Sequence, residues 1–147
     1  MKVLNFGSLN IDYVYKVEHF VRAGETLSST SREQFCGGKG LNQSVAFARA
    51  GCETYHAGCI GTEGTFLIDM LAKNDVNTQF IRTRNDIASG HAIIQVSPQG
   101  ENCILLYGGA NQTIEKFSKC SIKLANLYTH ALDEEGALKV YQRTLEN

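Results

Sequence analysis

The run Gly37-Gly38-Lys39-Gly40 constrains this chain more than any other feature, because it stands directly before a predicted helix. Residues 41–50 combine good helix formers with small apolar residues, and Gly51 suits the left-handed position that ends a helix. Glycines let a backbone approach its neighbours closely, and the N-terminus of a helix attracts electron-rich groups. From the residues alone, two interpretations stay open: a ligand-binding loop, or a tight turn from strand to helix without a ligand.

The glycine-rich segments of the chain match neither of two common phosphate-binding patterns. The P-loop pattern needs a hydroxyl residue after its lysine, and here Gly40 follows Lys39. The dinucleotide pattern G-x-G-x-x-G also fails, because the glycines within residues 58–64 have a different spacing. If the run binds a ligand, we expect Lys39 to supply a positive charge and Asn42 an amide that donates and accepts hydrogen bonds.

Strands and helices alternate along the chain, which predicts an α/β fold with a parallel sheet. Helices are predicted over residues 41–50 and 65–73, the second capped by Thr62. A buried strand is predicted over residues 2–6, and further strands over residues 53–60 and 78–84. Other strands follow one another without helices, which predicts a separate antiparallel layer formed by residues 11–17, about 26–30 and the hairpin 91–107. A last helix is predicted from about residue 114, with Thr113 as its cap.

Composition excludes several classes of protein. The 147 residues carry a net charge of −1, so the basic surface that binds nucleic acids or anionic membranes is lacking. No apolar run reaches the ~18 residues of a membrane span.

The five cysteines are odd in number and show no C-x-x-C spacing, which argues against a disulfide framework or a zinc site. The four histidines have no partner spacing and predict ordinary core or surface roles. We therefore expect a cytoplasmic chain with reduced thiols and no nucleic-acid or membrane partner.

Four motifs, in this order, resemble those of the ribokinase-like (pfkB-type) sugar kinases. They are Gly7-Ser8-Leu9-Asn10-Ile11-Asp12, Gly24-Glu25-Thr26, Gly37-Gly38-Lys39-Gly40-Leu41-Asn42-Gln43-Ser44 with Gly51 and Gly61, and Gly100-Glu101-Asn102 with Gly109-Ala110-Asn111. Val21 and Ala23 replace the prolines that usually flank the second motif. The resemblance is closest to the ribokinase branch of the family. It implies the N-terminal part of a doubly wound α/β domain with a small antiparallel β lid over residues 1–113. An atypical tail at 114–147 would follow, with the family's C-terminal half absent.

The resemblance also implies where a sugar would bind. Asn10 and Asp12 would form hydrogen bonds with the sugar hydroxyls, and a carboxylate suits this role because it accepts from two hydroxyls at once. Gly38, Lys39 and Asn42 would line the opposite side of the sugar. Ala92 and Ile94 would cover it from the lid. Lids of this family often pair between subunits, so the resemblance implies a homodimer.

In this family the sites for ATP, Mg²⁺ and the catalytic base belong to a later motif, D-T-x-G-A-G-D. The Ala-Gly pairs of this chain, which start at residues 23, 50 and 57, are followed by Glu25, Cys52 and Cys59 rather than by Asp. We therefore expect a truncated chain with the sugar-binding half, without the catalytic base and without metal ligands.

Two hypotheses of different class stay open at this point. The first is a ribokinase-type kinase of D-ribose or of another sugar, sugar acid or nucleoside, represented by an incomplete chain. The second is a non-catalytic sugar-binding or oligomerising remnant.

Overall fold

The computed structural model describes residues 1–114, which form two sheets and two α-helices. In chain order the elements are β1 (Lys2–Phe6), β2 (Asn10–Lys16), β3 (Ser31–Gly37), α1 (Lys39–Arg49), β4 (Glu53–Gly61), α2 (Thr65–Ala72), β5 (Val76–Arg84), β6 (Gly90–Val96) and β7 (Asn102–Tyr107). Short 3₁₀ helices cover Thr62–Gly64 and Gly109–Ile114. None of the helices in this part of the chain has the length and apolar character needed to cross a bilayer. The tail expected at 114–147 lies, apart from residue 114, outside the described residues.

The core sheet confirms the predicted α/β arrangement. Its strand order is β1-β4-β5, and both pairs are parallel. The central strand, β4, is almost wholly buried, as expected for a strand inside a parallel sheet. α1 and α2 contribute to one aliphatic core with this sheet, formed by Leu9, Ile11, Leu41, Ile60, Leu67, Leu71 and Val76. Two of these residues come from the β1–β2 turn and from β2, so the same core anchors the lid.

The lid is a four-stranded sheet in the order β3-β2-β6-β7. β2 is antiparallel to β3, and β6 and β7 form the predicted hairpin. β2 and β6, however, run parallel, so the layer predicted to be antiparallel is mixed. The reason is the long connection: the chain passes through the core sheet between β3 and β6. It then enters the lid at the same end as β2, where Gly90 pairs with Asn10.

The prediction of a lid strand at residues 26–30 is wrong. These residues form a loop, and the strand that pairs with β2 is Ser31–Gly37. The loop ends where Thr30 donates to the carbonyl of Lys16 through its backbone N–H, at 2.8 Å, and through its hydroxyl, at 3.1 Å. β3 is hard to recognise in the sequence because residues 32–35 are exposed in succession and lack the alternation of a half-buried strand.

One predicted helix start and one predicted helix cap also differ from the structure. α1 begins at Lys39, so Gly40 lies inside its first turn. The prediction that Thr62 caps α2 is wrong, because Thr62 begins a 3₁₀ turn and Gly64 takes the N-cap position without a side-chain cap. The helix predicted from about residue 114 falls outside the described residues. Thr113 lies in the 3₁₀ helix Gly109–Ile114 and donates its hydroxyl to the carbonyl of Ala110 at 2.7 Å.

Candidate functional site

The candidate site begins where the core sheet meets the lid. Residues 7–9 join β1 to β2 and therefore connect the two sheets. The backbones of Gly7 and Gly40 are in direct contact, because a Cβ on Gly40 would lie only 2.5 Å from the Gly7 carbonyl carbon and the Ser8 nitrogen. Across this contact the N–H of Leu41 donates to the carbonyl of Ser8 at 3.1 Å. The first turn of α1 thus lies against the β1–β2 turn, and two of the sequence motifs meet.

The start of α1 presents backbone donors at this junction. Gly38 occupies the N-cap position with a φ of 102°, and a Cβ there would lie 2.5 Å from the carbonyl of Ser8. Glycine is therefore required at position 38 by its conformation and by the space available. No side chain caps the helix, and Leu41 donates to Ser8, so the N–H groups of Lys39 and Gly40 are those of the first turn that a ligand could satisfy.

Asp12 places a carboxylate beside this helix start. Its side chain is half-buried on β2 and lies against the backbone of Gly37, where any Cβ would overlap the carboxylate. Burial raises the pKa of Asp12, and neither a hydrogen bond nor an ion pair within residues 1–114 lowers it. A partly buried carboxylate without a protein partner is available to accept hydrogen bonds from a ligand.

Asn10 is oriented by a residue from the other end of the described chain. Asn111 donates from Nδ2 to Asn10 Oδ1 at 2.7 Å and to the carbonyl of Leu9 at 3.0 Å, and its Oδ1 accepts from the Leu9 N–H at 3.0 Å. The oxygen of Asn10 is therefore engaged, and its Nδ2 is the end that can donate to a ligand. Sequence reasoning treated Asn111 only as part of a turn motif. Its role could have been inferred only by pairing the motif that contains Asn10 with the motif that contains Asn111, about a hundred residues further along the chain.

The lid places two of the predicted residues on the same face as Asp12. Ala92 on β6 is paired with Asp12, and Ile94 is paired with Val14, so the parallel register puts all four side chains on one face. Ala92 is buried and Ile94 is half-buried. On β7 the residues paired with Ala92 and Ile94 are Leu106 and Ile104, which sequence reasoning did not select.

Lys39 and Asn42 lie on the first turn of α1, and both side chains are exposed. The structure thus places them at the same helix start as Gly38. Asn42 also borders a groove of about 430 Å³ between α1 and α2, whose lining includes Cys36, Met70 and Asn74. No hydrogen bond in the described part of the chain links either side chain to Asn10 or Asp12, so the lysine and the asparagine border the junction without contacting those two residues.

The chemistry of this junction suits an uncharged polar ligand with several hydroxyl groups. Asp12 offers an acceptor, Asn10 a donor, and the start of α1 offers further donors. A metal ion is a poor fit to this part of the chain. Within residues 1–114, no three His, Cys, Asp or Glu side chains are grouped closely enough to hold one.

Known proteins confirm the resemblance. The model of the pfkB family of carbohydrate kinases matches residues 1–136. The chain belongs to this family. The ribokinase of Staphylococcus aureus (strain COL) is 37% identical over 116 residues, which make up 77% of this chain and 38% of that protein. The ribokinase of Haemophilus influenzae is 38% identical over 112 residues, or 75% of this chain and 37% of its own length. The chain spans little more than a third of these curated relatives.

Solved structures show the same fold for this pfkB family member. Ribokinase from Cryptococcus neoformans in complex with ADP matches with a TM-score of 0.69 and 42% identity, over 74% of this chain and 35% of that chain. Arabidopsis thaliana ribokinase complexed with ribose and ATP matches with a TM-score of 0.67 and 32% identity, over 75% of this chain and 36% of that chain. The two sheets and two helices described above therefore form part of a ribokinase fold.

Proposed function

We propose that residues 1–114 form the sugar-binding part of a ribokinase-type carbohydrate kinase, with D-ribose as the substrate. The observation that carries the proposal is the half-buried Asp12 carboxylate, which has no partner in the described chain and lies beside the start of α1. Support also comes from the Arabidopsis relative, whose structure was solved with ribose and ATP. Kinases of other sugars, sugar acids or nucleosides are the alternatives within the family.

Each proposed contact follows from the hydrogen-bonding capacity of the group. The Asp12 carboxylate accepts from two neighbouring hydroxyls of the sugar, and a hydrogen bond to a charged group contributes about 1.5–3 kcal/mol. The Nδ2 of Asn10 donates to a hydroxyl oxygen. Gly38, Lys39 and Asn42 contact the opposite side of the sugar through the first turn of α1.

Ala92 and Ile94 cover the sugar from the lid in this proposal. Both lie on the lid face that carries Asp12, and their side chains are apolar. Covering the sugar excludes water, which favours transfer of a phosphoryl group to the sugar over hydrolysis.

ATP and Mg²⁺ are the cofactors that the proposal implies for the complete reaction. The residues described here do not fit a magnesium site, since they provide no cluster of metal ligands, so we assign no step to the metal. The motif to which the resemblance assigns the nucleotide and the catalytic base is not found in the 147 residues. We therefore propose sugar binding as the activity of this chain by itself.

The test is a calorimetric titration of the 147-residue chain with D-ribose, beside a coupled assay for ATP turnover. Asp12→Asn keeps the shape but removes the charge, and we expect it to weaken binding at least about tenfold, as for the loss of a charge-assisted hydrogen bond. Asp69→Asn is the matched control, because it removes the same charge from an exposed position on α2.

Each outcome decides between the hypotheses. Binding that Asp12→Asn weakens and Asp69→Asn leaves unchanged supports the proposal. Lack of binding to D-ribose, with binding to a hexose or a nucleoside in a parallel screen, would reassign the substrate within the family. Lack of binding to every sugar would reject the proposal, and ATP turnover by the pure chain would favour a complete kinase over a sugar-binding remnant.

We also propose a homodimer that forms through the lid. β7 is exposed along its whole length and ends the lid sheet within the described chain. The cytoplasmic location remains a prediction from the cysteine pattern.

A further inference from the structure

A buried polar network lies directly beneath the contact between Gly7 and Gly40. Asn5 donates from Nδ2 to the carbonyl of Gly40 at 2.7 Å and to Ser44 Oγ at 2.8 Å. Ser44 Oγ lies 2.7 Å from His56 Nδ1, and His56 Nε2 lies 3.2 Å from the carbonyl of Gly7. The side chains of Ser44 and His56 are fully buried. The network thus begins at one of the two touching glycines and ends at the other.

The network has one consistent direction of donation. The carbonyl of Gly7 can only accept, so His56 Nε2 carries the ring proton. Burial lowers the pKa of His56 to about 4, so the ring is neutral near pH 7 and its Nδ1 accepts. The Ser44 hydroxyl then donates to Nδ1 while it accepts from Asn5. Ser44 and both ring nitrogens have partners, and a satisfied buried network of this kind makes a core rigid.

The three side chains come from three different elements. Asn5 lies on β1, Ser44 on α1 and His56 on β4. Apolar packing would hold these elements together, but it does not direct them, whereas hydrogen bonds require defined distances and angles. The network is therefore suited to fixing how α1 sits against β1 and β4.

We propose that Asn5, Ser44 and His56 are positioning residues for sugar binding, because their hydrogen bonds hold Gly7 against Gly40. That contact sets the distance between the β1–β2 turn, which leads to Asn10, and the first turn of α1. This inference rests on the proposed function, in which these two turns form the two sides of the sugar site.

The test compares Ser44→Ala with Thr54→Val in the 147-residue chain. Ser44→Ala removes the donor to His56 and keeps a good helix former in α1. Thr54 is also buried on β4, but its hydroxyl donates to the carbonyl of Cys52 at 3.1 Å and contacts neither glycine, so Thr54→Val is the matched control.

Three measurements are made on each variant: the thermal midpoint, the affinity for D-ribose, and the hydrogen exchange of the Leu41 amide, which bonds across the junction to Ser8. We expect Ser44→Ala to weaken D-ribose binding at least about fivefold, because the β1–β2 turn and the first turn of α1 would no longer be held at a fixed distance. We also expect Leu41 exchange to be faster in Ser44→Ala than in Thr54→Val, at a similar loss of thermal midpoint. NMR of the wild-type imidazole is expected to find the proton on Nε2.

The proposal is overturned if the two variants lose the same affinity and exchange Leu41 at the same rate, or if the His56 proton resides on Nδ1. Failure of the wild-type chain to bind D-ribose counts against the proposed function alone. In that case the Leu41 comparison and the ring tautomer still support or overturn the positioning role.

Discussion

Asn111 decides which end of Asn10 a ligand meets. The amide of Asn111 occupies the oxygen of Asn10 and both backbone groups of Leu9, so the amide nitrogen of Asn10 is left to donate. Asp12 has no such partner and stays an acceptor. A donor and an acceptor two residues apart on one strand face the same side, and this pattern matches a sugar, where each hydroxyl both donates and accepts.

His56 predicts a specific dependence of stability on pH. The folded chain has a His56 pKa of about 4, whereas the unfolded chain has the ordinary value of about 6.5. Between these values the unfolded state binds a proton that the folded state does not, so stability falls as the pH falls. The slope from this residue approaches 1.4 kcal/mol per pH unit, and the total loss is about 3 kcal/mol below pH 4.

Denaturant unfolding of wild type and His56→Phe between about pH 7 and about pH 4 measures this effect. We expect the wild-type free energy of unfolding to fall more steeply with acid than that of the variant, by up to one proton in the slope. Its ring neighbours, Ser44 and Gly7, carry no charge, so the difference belongs to the imidazole. Parallel pH profiles for the two proteins would contradict the prediction.

The elements of the core sheet are those that sequence predicts best. The predicted bounds of β1 match the structure and those of β4 differ by one residue, because Gly7 follows the first strand and Gly61 ends the second. β1 is expected to be buried, but in the described part of the chain its side chains are exposed or half-buried. β3 was not predicted because residues 32–35 are all exposed, and all but Phe35 are polar. Its position is set by pairing with β2, whose residues lie some distance away in the sequence. Local pattern carries little information on such pairing.

The residues of the candidate site also fall into those that local motifs predict and those that they do not. Asn10, Asp12 and the glycine run were found through motifs, which are local. Asn111, which bonds to Asn10, and His56, which bonds to the carbonyl of Gly7, were not recognised as parts of a site, because each contacts residues far away in sequence. A lone buried histidine carries no sequence signal for its role until the fold brings Ser44 and Gly7 to its two nitrogens.

The junction between α1 and the β1–β2 turn makes a prediction for Gly40→Ala. Alanine favours the helix by roughly 1 kcal/mol over glycine. Its Cβ, however, would lie 2.5–2.6 Å from backbone atoms of Gly7 and Ser8, which can give way only if the two elements separate. Overpacking of this kind costs about 1–3 kcal/mol, so we expect a net loss of stability together with weaker sugar binding.

Thermal unfolding and a D-ribose titration test this prediction, with Gln43→Ala as the control. Gln43 lies in the same helix but is exposed, so the control gains the same alanine without a clash. Gly40→Ala that equals or exceeds the wild-type thermal midpoint would show that the junction can open without cost.

The lid exposes an apolar surface along β7 in the described part of the chain. Ile104, Leu105 and Leu106 are 54%, 68% and 63% exposed, although successive residues of a strand point to opposite faces. β7 therefore exposes apolar side chains on both faces, and it is also the edge strand of its sheet within residues 1–114. Long exposed edges of this kind pair with other chains unless charges or proline block them.

We expect the chain to form dimers through β7, and Leu105→Lys to weaken them at least about tenfold, because the charge would be buried at the interface. Leu105 lies on the lid face opposite Asp12, so its substitution leaves the candidate sugar site in place. Phe47→Lys is the matched control, since Phe47 is an exposed apolar residue on α1 rather than on a lid strand. Sedimentation velocity measures the outcome. A monomeric wild type, or equal dissociation of the two variants, would place the apolar strand outside any interface between copies of this chain.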